Sequence, residues 1–336
     1  DVERSRGLGD VYKRQFEDNA EFGLGMRMAA NVQTVLARRR LQEVSSQLDP
    51  EFVEDLLHAP QLTEHDLQSQ QHRVKELQAK LADMEQTPAV RDLMSVADHL
   101  LRRSVWIIGG DGWAYDIGSG GVDHVLASGR DVNVLVLDTE VYSNTGGQAS
   151  KSTPLGAVAK FASAGKPTAK KDMALQAIAY GSVYVARVAL GADPQQTLRA
   201  FREAEAYPGP SLIIAYSHCI AHGYDLRNGL DQQYKAVHCG HWPLMRYNPV
   251  LADEGRNPFL LDSPKPDETW REYTKLELRY RMLQKAHPEE AERMLDLGQR
   301  QVERRYAEYA EMASRTAEDF AVDARMSEFA ASSNRA

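Results

Sequence analysis

Cysteine is scarce in this sequence of 336 residues, and its scarcity excludes several classes of protein. Only Cys219 and Cys239 occur. Two cysteines do not make the disulfide framework of a small secreted domain, and they cannot complete an iron–sulfur cluster that is held by four thiolates. No secretory signal is visible. We therefore expect a chain of the reducing cytoplasm.

Excess positive charge and long apolar runs are also lacking. Lysine and arginine number 40 against 48 aspartates and glutamates, which gives a net charge of −8. This acidic balance argues against nucleic acid as a partner. No apolar run approaches the roughly 20 residues that cross a bilayer, so we expect no membrane partner. The hydrophobic fraction of 43% is that of a globular protein with a sizeable core.

The sequence changes character along its length. Residues 1–15 are polar and without periodicity, and we interpret them as a tail that is foreign to the rest. Residues 16–265 have the pattern of an α/β domain, interrupted at about 50–90 by a helical insertion with a heptad-like apolar stripe. Residues 266–336 are charged and helical, and we predict a helical extension there.

Short apolar runs alternate with helical patterns in the α/β segment. The runs lie at 105–108, 132–138, 181–190 and 210–217, and the helical patterns at 115–128, 172–180 and 194–207. Continuous apolar strands that alternate with helices predict a mainly parallel sheet with helices on both faces. Ligands of such sheets bind beyond the carboxyl ends of the strands.

The first strand end carries a carboxylate inside a glycine-rich turn. The run GGDGWAYDIGSGG extends from Gly109 to Gly121 and holds Asp111 between glycines. Glycines let backbone N–H groups approach a phosphate, and the helix that follows directs its positive end to the same place. A negative side chain fits there if a divalent cation lies between it and the phosphates, as Mg²⁺ commonly does.

The neighbouring strand ends offer further ligands. LDTEVYSNTGGQ supplies the Thr139 hydroxyl, the Val141 carbonyl and the Asn144 amide. The fourth apolar run ends in Ser217, His218 and Cys219. The first two strand ends together predict a shared site for a metal and a diphosphate.

This combination is the thiamine diphosphate motif, a GDG followed about thirty residues later by an asparagine-bearing loop. The stretch from GGDGWAYDIGSGG to KFASAGK resembles the carboxyl-terminal thiamine-diphosphate-binding domain of pyruvate:ferredoxin (flavodoxin) oxidoreductase. FEDNAEFGLGMRMA at 16–29 and GPSLIIAYSHCIAHGYD at 209–225 resemble it too. The similarity covers residues 16–48 and 92–250.

The resemblance implies roles for individual residues. Asp111, Thr139 and the Val141 carbonyl would hold Mg²⁺, and Asn144 would be a catalytic residue that places the substrate. Cys219 would be one of four thiolates on a [4Fe–4S] cluster. The thiamine diphosphate would be lined by two segments, Gly110, Asp111, Gly112, Trp113 and Thr139, Glu140, Val141, Tyr142, Ser143, Asn144.

The resemblance also implies a reaction and its partners. Pyruvate and coenzyme A would give acetyl-coenzyme A and CO₂, and the electrons would pass through iron–sulfur clusters to ferredoxin or flavodoxin. The intact family enzyme is expected to be a homodimer.

This sequence departs from the family in its extent. The other three cluster cysteines, which the family places before FEDNAEFG, are absent. So are the domain that holds the aminopyrimidine ring and the ferredoxin-like domain. We therefore interpret the chain as a fragment that is inactive without the N-terminal part of the same enzyme.

Two alternatives remain open. One is a different thiamine enzyme, either another 2-oxoacid:ferredoxin oxidoreductase or a non-oxidative enzyme. The cysteine-bearing loop SHCIAHG speaks against the non-oxidative class. The other alternative is a non-catalytic module that binds the coenzyme.

Overall fold

The computed structural model describes residues 18–320. The chain forms two compact units, a helical unit at Leu24–Val105 and a sheet unit that comprises 18–23 and 106–320 of the described residues. The predicted tail at 1–15 lies outside the described residues, as does the end of the predicted 266–336 extension.

The helical unit is built from amphipathic helices with defined ends. The Asp49 side chain caps the helix Pro50–His58 by accepting from the Phe52 amide. Thr63 and Asp66 form a reciprocal capping box at the start of the helix Glu64–Asp83. Leu41, Leu77 and other buried aliphatic side chains fill its core. The predicted insertion at 50–90 lies inside this unit, which starts earlier and ends later. The helices are α1 Asn19–Val44, whose first residues belong to the sheet unit, α2 Pro50–His58, α3 Glu64–Asp83 and α4 Pro88–Val96.

The sheet unit contains one mixed sheet of six strands. The strands are β1 Trp106–Gly110, β2 Asn133–Asp138, β3 Tyr184–Val188, β4 Ser211–Tyr216, β5 Met245–Tyr247 and β6 Phe259–Leu261. Their order in the sheet is β1-β2-β4-β3-β5-β6. The first four strands of that order are parallel, and β5 and β6 join antiparallel at one side. The prediction of an α/β fold with a mainly parallel sheet is confirmed.

Helices connect and flank these strands. The predicted helix at 115–128 starts only at Ser119, because the chain first makes a π-helical turn over Gly112–Ile117. The helices are α5 Ser119–Ala127, α6 Met173–Ile178, α7 Pro194–Ala206, α8 Gly229–His238, α9 Pro249–Asp253, α10 Trp270–Thr274, α11 Leu278–Ala286 and α12 Pro288–Ser314.

The strand register brings the predicted site residues to one edge of the sheet. Gly110 of β1 pairs with Leu137 of β2, and Asp138 of β2 pairs with Tyr216 of β4. The residues that follow these three strands therefore leave the sheet side by side at its carboxyl edge.

None of the helices within residues 18–320 combines the length and the apolar character that a bilayer crossing requires.

Candidate functional site

Asp111 and Thr139 meet at the carboxyl edge of β1 and β2. The Asp111 carboxylate is 1% exposed. Its Oδ1 accepts hydrogen bonds from the Thr139 amide at 3.2 Å and from the Thr139 hydroxyl at 2.9 Å. The same hydroxyl lies 3.0 Å from the Val141 carbonyl oxygen. Three oxygens of three different residues thus form one compact group.

The spacing of these oxygens suits an octahedral cation. Mg²⁺ binds oxygens at about 2.0–2.1 Å in near-ideal octahedra, so neighbouring ligands are about 2.9 Å apart. The separations from Thr139 Oγ1 to Asp111 Oδ1 and to Val141 O, 2.9 and 3.0 Å, match that edge length. The residues present therefore fit Mg²⁺.

The electrostatic state of Asp111 favours the same ion. Burial of the side chain, aided by the nearby Asp138 carboxylate, raises the pKa of Asp111 to about 7. An acid with a raised pKa is one whose ionised form is poorly stabilised by its surroundings. A divalent cation beside Asp111 would stabilise this ionised form.

Ser150 is a site residue that sequence reasoning missed. Its hydroxyl donates to Asp111 Oδ2 at 2.7 Å, and the side chain is buried. Thr153 holds the Ser150 turn by accepting from the Ser150 amide and donating to the Glu140 carbonyl. The sequence does place serines and threonines directly after the asparagine-bearing loop. Hydroxyl residues are common in turns, however, so this pattern alone does not point to Ser150.

The glycines of the first turn have different reasons to be glycine. A Cβ on Gly112 would overlap the ring of Tyr142, whereas a Cβ on Gly110 would meet nothing within 4 Å. Gly112 thus allows the two loops to pack together, and Gly110 leaves open space at the strand end. Such space is what a diphosphate requires. The Trp113 ring is buried beside Gly109, so its contribution to a coenzyme site would come from its backbone.

The asparagine-bearing loop is exposed at its tip. Ser143 and Asn144 are exposed, and the Tyr142 amide and carbonyl are tied to the far side of the loop. Gly146 and Gly147 have φ angles of +104° and +87°, which only glycine adopts readily. The backbone holds the loop, and the Asn144 side chain faces outward from it.

The Glu140 side chain is held by cationic and imidazole groups of the protein itself. The carboxylate is fully buried and contacts Arg279 Nη2 at 2.7 Å, His241 Nε2 at 3.0 Å and Lys170 Nζ at 3.3 Å. Burial opposes its ionised form, but these partners outweigh burial and hold the pKa of Glu140 well below its usual range. Glu140 can line a coenzyme only through its backbone.

Asp138, the last residue of β2, is paired as well. Its Oδ2 accepts from Lys170 Nζ and from the Tyr115 hydroxyl, both at 2.8 Å. Its Oδ1 accepts from the Glu140 amide at 3.0 Å. Asp138 thus stabilises the second loop and is not available as a metal ligand.

The loop after β4 contacts both halves of the site. Cys219 Sγ lies 3.3 Å from Ser143 Oγ. His222 Nε2 is 2.7 Å from the Thr139 carbonyl, to which it donates. Burial lowers the pKa of His222 to about 4, so the ring is neutral. His222 and His241 are thus both hydrogen-bonded, to the Thr139 carbonyl and to the Glu140 carboxylate.

Comparison with known proteins finds a family model that matches part of the chain. Residues 93–215 match the model of the thiamine pyrophosphate enzymes, in their C-terminal TPP binding domain. That segment contains β1, β2 and both loops of the site, and thiamine pyrophosphate is another name for thiamine diphosphate.

Relatives of this thiamine pyrophosphate domain confirm the resemblance drawn from the motifs. Over 318 residues the chain is 53% identical to the pyruvate-flavodoxin oxidoreductase of Trichormus variabilis. This alignment covers 94% of the chain and 27% of the relative. It is 46% identical over 313 residues to that of Klebsiella pneumoniae, with 92% and 27% covered. It is 48% identical over 305 residues to the pyruvate:ferredoxin oxidoreductase of Moorella thermoacetica, with 89% and 26% covered. The chain thus spans about a quarter of the length of these relatives.

Among solved structures, a 2-oxoglutarate:ferredoxin oxidoreductase from Magnetococcus marinus matches at 25% identity with a TM-score of 0.32. The match covers 35% of this chain and 40% of that one. This likeness is too slight to bear on the site.

A four-thiolate cluster does not fit the chain by itself. Cys219 is the only cysteine beside the site, and Cys239 is buried at the end of α8, where burial raises the pKa of its thiol. Within residues 18–320, no group of three or more histidine, cysteine or acidic side chains is arranged to hold a metal. A cluster at Cys219 would need three further thiolates, and this sequence contains only one other cysteine.

Proposed function

We propose that this chain binds thiamine diphosphate through a Mg²⁺ ion held by Asp111, Thr139 and the Val141 carbonyl. The observation that carries the proposal is the oxygen group at this edge, with its separations of 2.9 and 3.0 Å. The match of residues 93–215 to the TPP binding domain supports the same assignment.

The diphosphate is expected to lie over the open space at Gly110. The backbone from Gly110 to Trp113 and from Thr139 to Asn144 would face it. The amides of the π-helical turn add partial positive charge, as the first turn of a helix does. These residues bind and orient the coenzyme without contributing a reactive group.

The proposed activity is that of a pyruvate oxidoreductase. Bound thiamine diphosphate supplies an electron sink for decarboxylation of a 2-oxoacid. The relatives are named for pyruvate and for flavodoxin or ferredoxin, and we propose these as substrate and electron acceptors, with coenzyme A as the acetyl acceptor and a homodimer as the assembly. Asn144, exposed beside the coenzyme loops, would place the substrate by donating to its carboxylate or carbonyl oxygen.

Cys219 would act only where other thiolates are supplied. Its contact with Ser143 puts the sulfur next to the coenzyme loop, which is a suitable place for an electron acceptor. Because the chain has a single cysteine there, we expect it neither to hold a cluster nor to oxidise pyruvate on its own.

The metal assignment can be tested by calorimetry on the chain itself. Mg²⁺ is titrated in the presence of thiamine diphosphate at pH 8, where Asp111 is mostly ionised. Asp111→Ala should weaken binding at least about a hundredfold, about 2.7 kcal/mol, because it removes the only charged protein ligand.

Asp116→Asn is a suitable control for that measurement. Asp116 belongs to the same turn, is half-buried, and accepts from the Lys151 amide instead of Asp111's partners. The affinity of Asp116→Asn for Mg²⁺ in the presence of thiamine diphosphate should equal that of the unaltered chain. An unchanged affinity in Asp111→Ala would mean that the metal assignment is wrong.

A further inference from the structure

Glu140 has an unusual backbone conformation between two proposed metal ligands. Its φ angle is +59°, in the left-handed region that non-glycine residues seldom occupy. Such a conformation costs on the order of 1 kcal/mol and persists only where the surroundings impose it. Here it reverses the chain so that the Thr139 hydroxyl and the Val141 carbonyl oxygen come within 3.0 Å of each other.

The surroundings that impose this conformation hold the Glu140 carboxylate. Arg279 Nη2 contacts one carboxylate oxygen at 2.7 Å, and His241 Nε2 contacts the other at 3.0 Å. Lys170 Nζ lies 3.3 Å from that second oxygen. A side chain held on both oxygens cannot swing away, so its backbone cannot leave the left-handed conformation without breaking these contacts.

Arg279 is itself fixed from a distant part of the chain. Its Nε donates to Glu277 at 2.6 Å. Glu277 in turn accepts from the Tyr273 hydroxyl at 2.8 Å and from Gln232 at 3.0 Å. The chain from α10 into α11, to which the sequence analysis assigns no functional role, therefore reaches the turn between the two ligands.

Stability alone is a poor explanation for this arrangement. Burying several charges costs about as much as their pairing returns, and well-packed apolar side chains often serve stability better. Glu140 and Arg279 are both almost fully buried. What the pair does provide is one fixed conformation of the turn.

We infer that Glu140 and Arg279 are a positioning pair that sets the Thr139–Val141 turn for Mg²⁺ and against larger divalent cations. The inference rests on the proposed function, since it needs the metal site. Mg²⁺ demands oxygens at about 2.0–2.1 Å in a near-ideal octahedron, whereas Ca²⁺ accepts 2.3–2.6 Å and flexible geometry. Loosening the turn should therefore weaken Mg²⁺ more than Ca²⁺.

Two variants test the pair with little risk to folding. Glu140→Gln keeps the size of the side chain. In this variant Asp138 still pairs with Lys170, and Glu277 still pairs with Arg279. No buried cation of the network is therefore left without an anionic partner. Arg279→Lys keeps the charge but loses the planar fork that spans two carboxylates.

Arg246→Lys is the matched control. Arg246 is also buried and also bridges two acids, Asp262 through Nε at 2.8 Å and Glu203 through Nη1. It lies on β5, which is separated from β2 by two strands of the sheet. It should reproduce any general loss of stability without affecting the metal.

The measurement is calorimetric titration of Mg²⁺ and of Ca²⁺ in the presence of thiamine diphosphate, at a temperature where circular dichroism shows each variant folded. We expect Glu140→Gln and Arg279→Lys to lose about tenfold in Mg²⁺ affinity, as groups that orient metal ligands do. In these two variants the Ca²⁺ affinity should fall less than about threefold, so their preference for Mg²⁺ over Ca²⁺ should decrease. Arg246→Lys should keep the preference of the unaltered chain.

The outcomes separate the inference from the proposed function. If the unaltered chain binds neither ion with thiamine diphosphate, the proposed function is refuted and the inference with it. If the unaltered chain binds Mg²⁺ and both variants keep its affinity and its preference over Ca²⁺, the inference alone is wrong. If Glu140→Gln and Arg279→Lys lose affinity equally for both ions, and Arg246→Lys shows the same losses, the inference is also wrong and the pair has only a structural role.

Discussion

Replacing Asp111 by asparagine should stabilise the metal-free chain while abolishing its metal site. The buried carboxylate has a pKa of about 7 instead of the usual 3.8. Because the folded state holds this proton more tightly than the unfolded state, the contribution of Asp111 to stability falls as pH rises from about 4 to about 7. Three pKa units correspond to about 4 kcal/mol of destabilisation above that window.

Asparagine removes the charge but does not restore every hydrogen bond. The amide nitrogen cannot accept from Ser150 or from Thr139, and each lost hydrogen bond is worth about 1 kcal/mol. We therefore expect Asp111→Asn to raise the free energy of unfolding by about 2–3 kcal/mol at pH 8 in EDTA, and by less at pH 6, where Asp111 is largely protonated.

Urea denaturation followed by tryptophan fluorescence suits this prediction, because all four tryptophans, at positions 106, 113, 242 and 270, lie in the sheet unit. Adding Mg²⁺ with thiamine diphosphate should raise the free energy of unfolding of the unaltered chain and leave that of Asp111→Asn unchanged. Asp138→Asn is the contrasting control, since Asp138 pairs with Lys170 at 2.8 Å and its loss should destabilise the chain. A metal-free Asp111→Asn chain less stable than the unaltered one at pH 8 would refute the reasoning.

Two further predictions concern the loops. Gly112→Ala should cost about 1–3 kcal/mol of stability in the same denaturation assay, because its Cβ would overlap the Tyr142 ring. Gly110→Ala should leave stability unchanged but weaken Mg²⁺–thiamine diphosphate binding by calorimetry, and the reverse pattern would contradict the assigned roles. Asn144→Ala should leave the free energy of unfolding within about 0.5 kcal/mol, as exposed positions do. In an active oxidoreductase that contains this segment, the same change should lower pyruvate turnover, and normal turnover would remove Asn144 from the site.

The sequence predicts those parts of the fold whose cause is local. The four parallel strands are recognisable in the sequence because each lies in a mainly apolar run that ends in a change of residue type. The antiparallel strands β5 and β6 are not recognisable in this way, since each has only three residues. β5 forms along the free edge of β3, and β6 forms along the edge of β5. The helix after β1 was placed too early, because residue composition does not distinguish a π-helical turn from an α-helix.

The site divides in the same way. Asp111, Thr139 and Val141 could be predicted because strand ends converge wherever strands are parallel and adjacent. The environment of Glu140 could not, since Arg279 lies 139 residues further along the chain and no sequence pattern joins the two. The sequence places Glu140 between two predicted ligands, and only the buried cations Arg279 and Lys170 show that its side chain faces the protein.

The contrast between Asp111 and the acids of the second loop explains why a glycine-rich turn holds a carboxylate. Asp138 and Glu140 have cations of the chain as partners, Lys170 and Arg279. Asp111 is equally buried, yet its hydrogen-bond donors are the neutral groups of Thr139 and Ser150, and it forms no ion pair within the described chain. The protein thus neutralises the two carboxylates that shape the loop by direct ion pairs and gives the third none within the described chain. A buried anion in that state is destabilising by itself, and it gains most from a divalent cation brought in by a diphosphate.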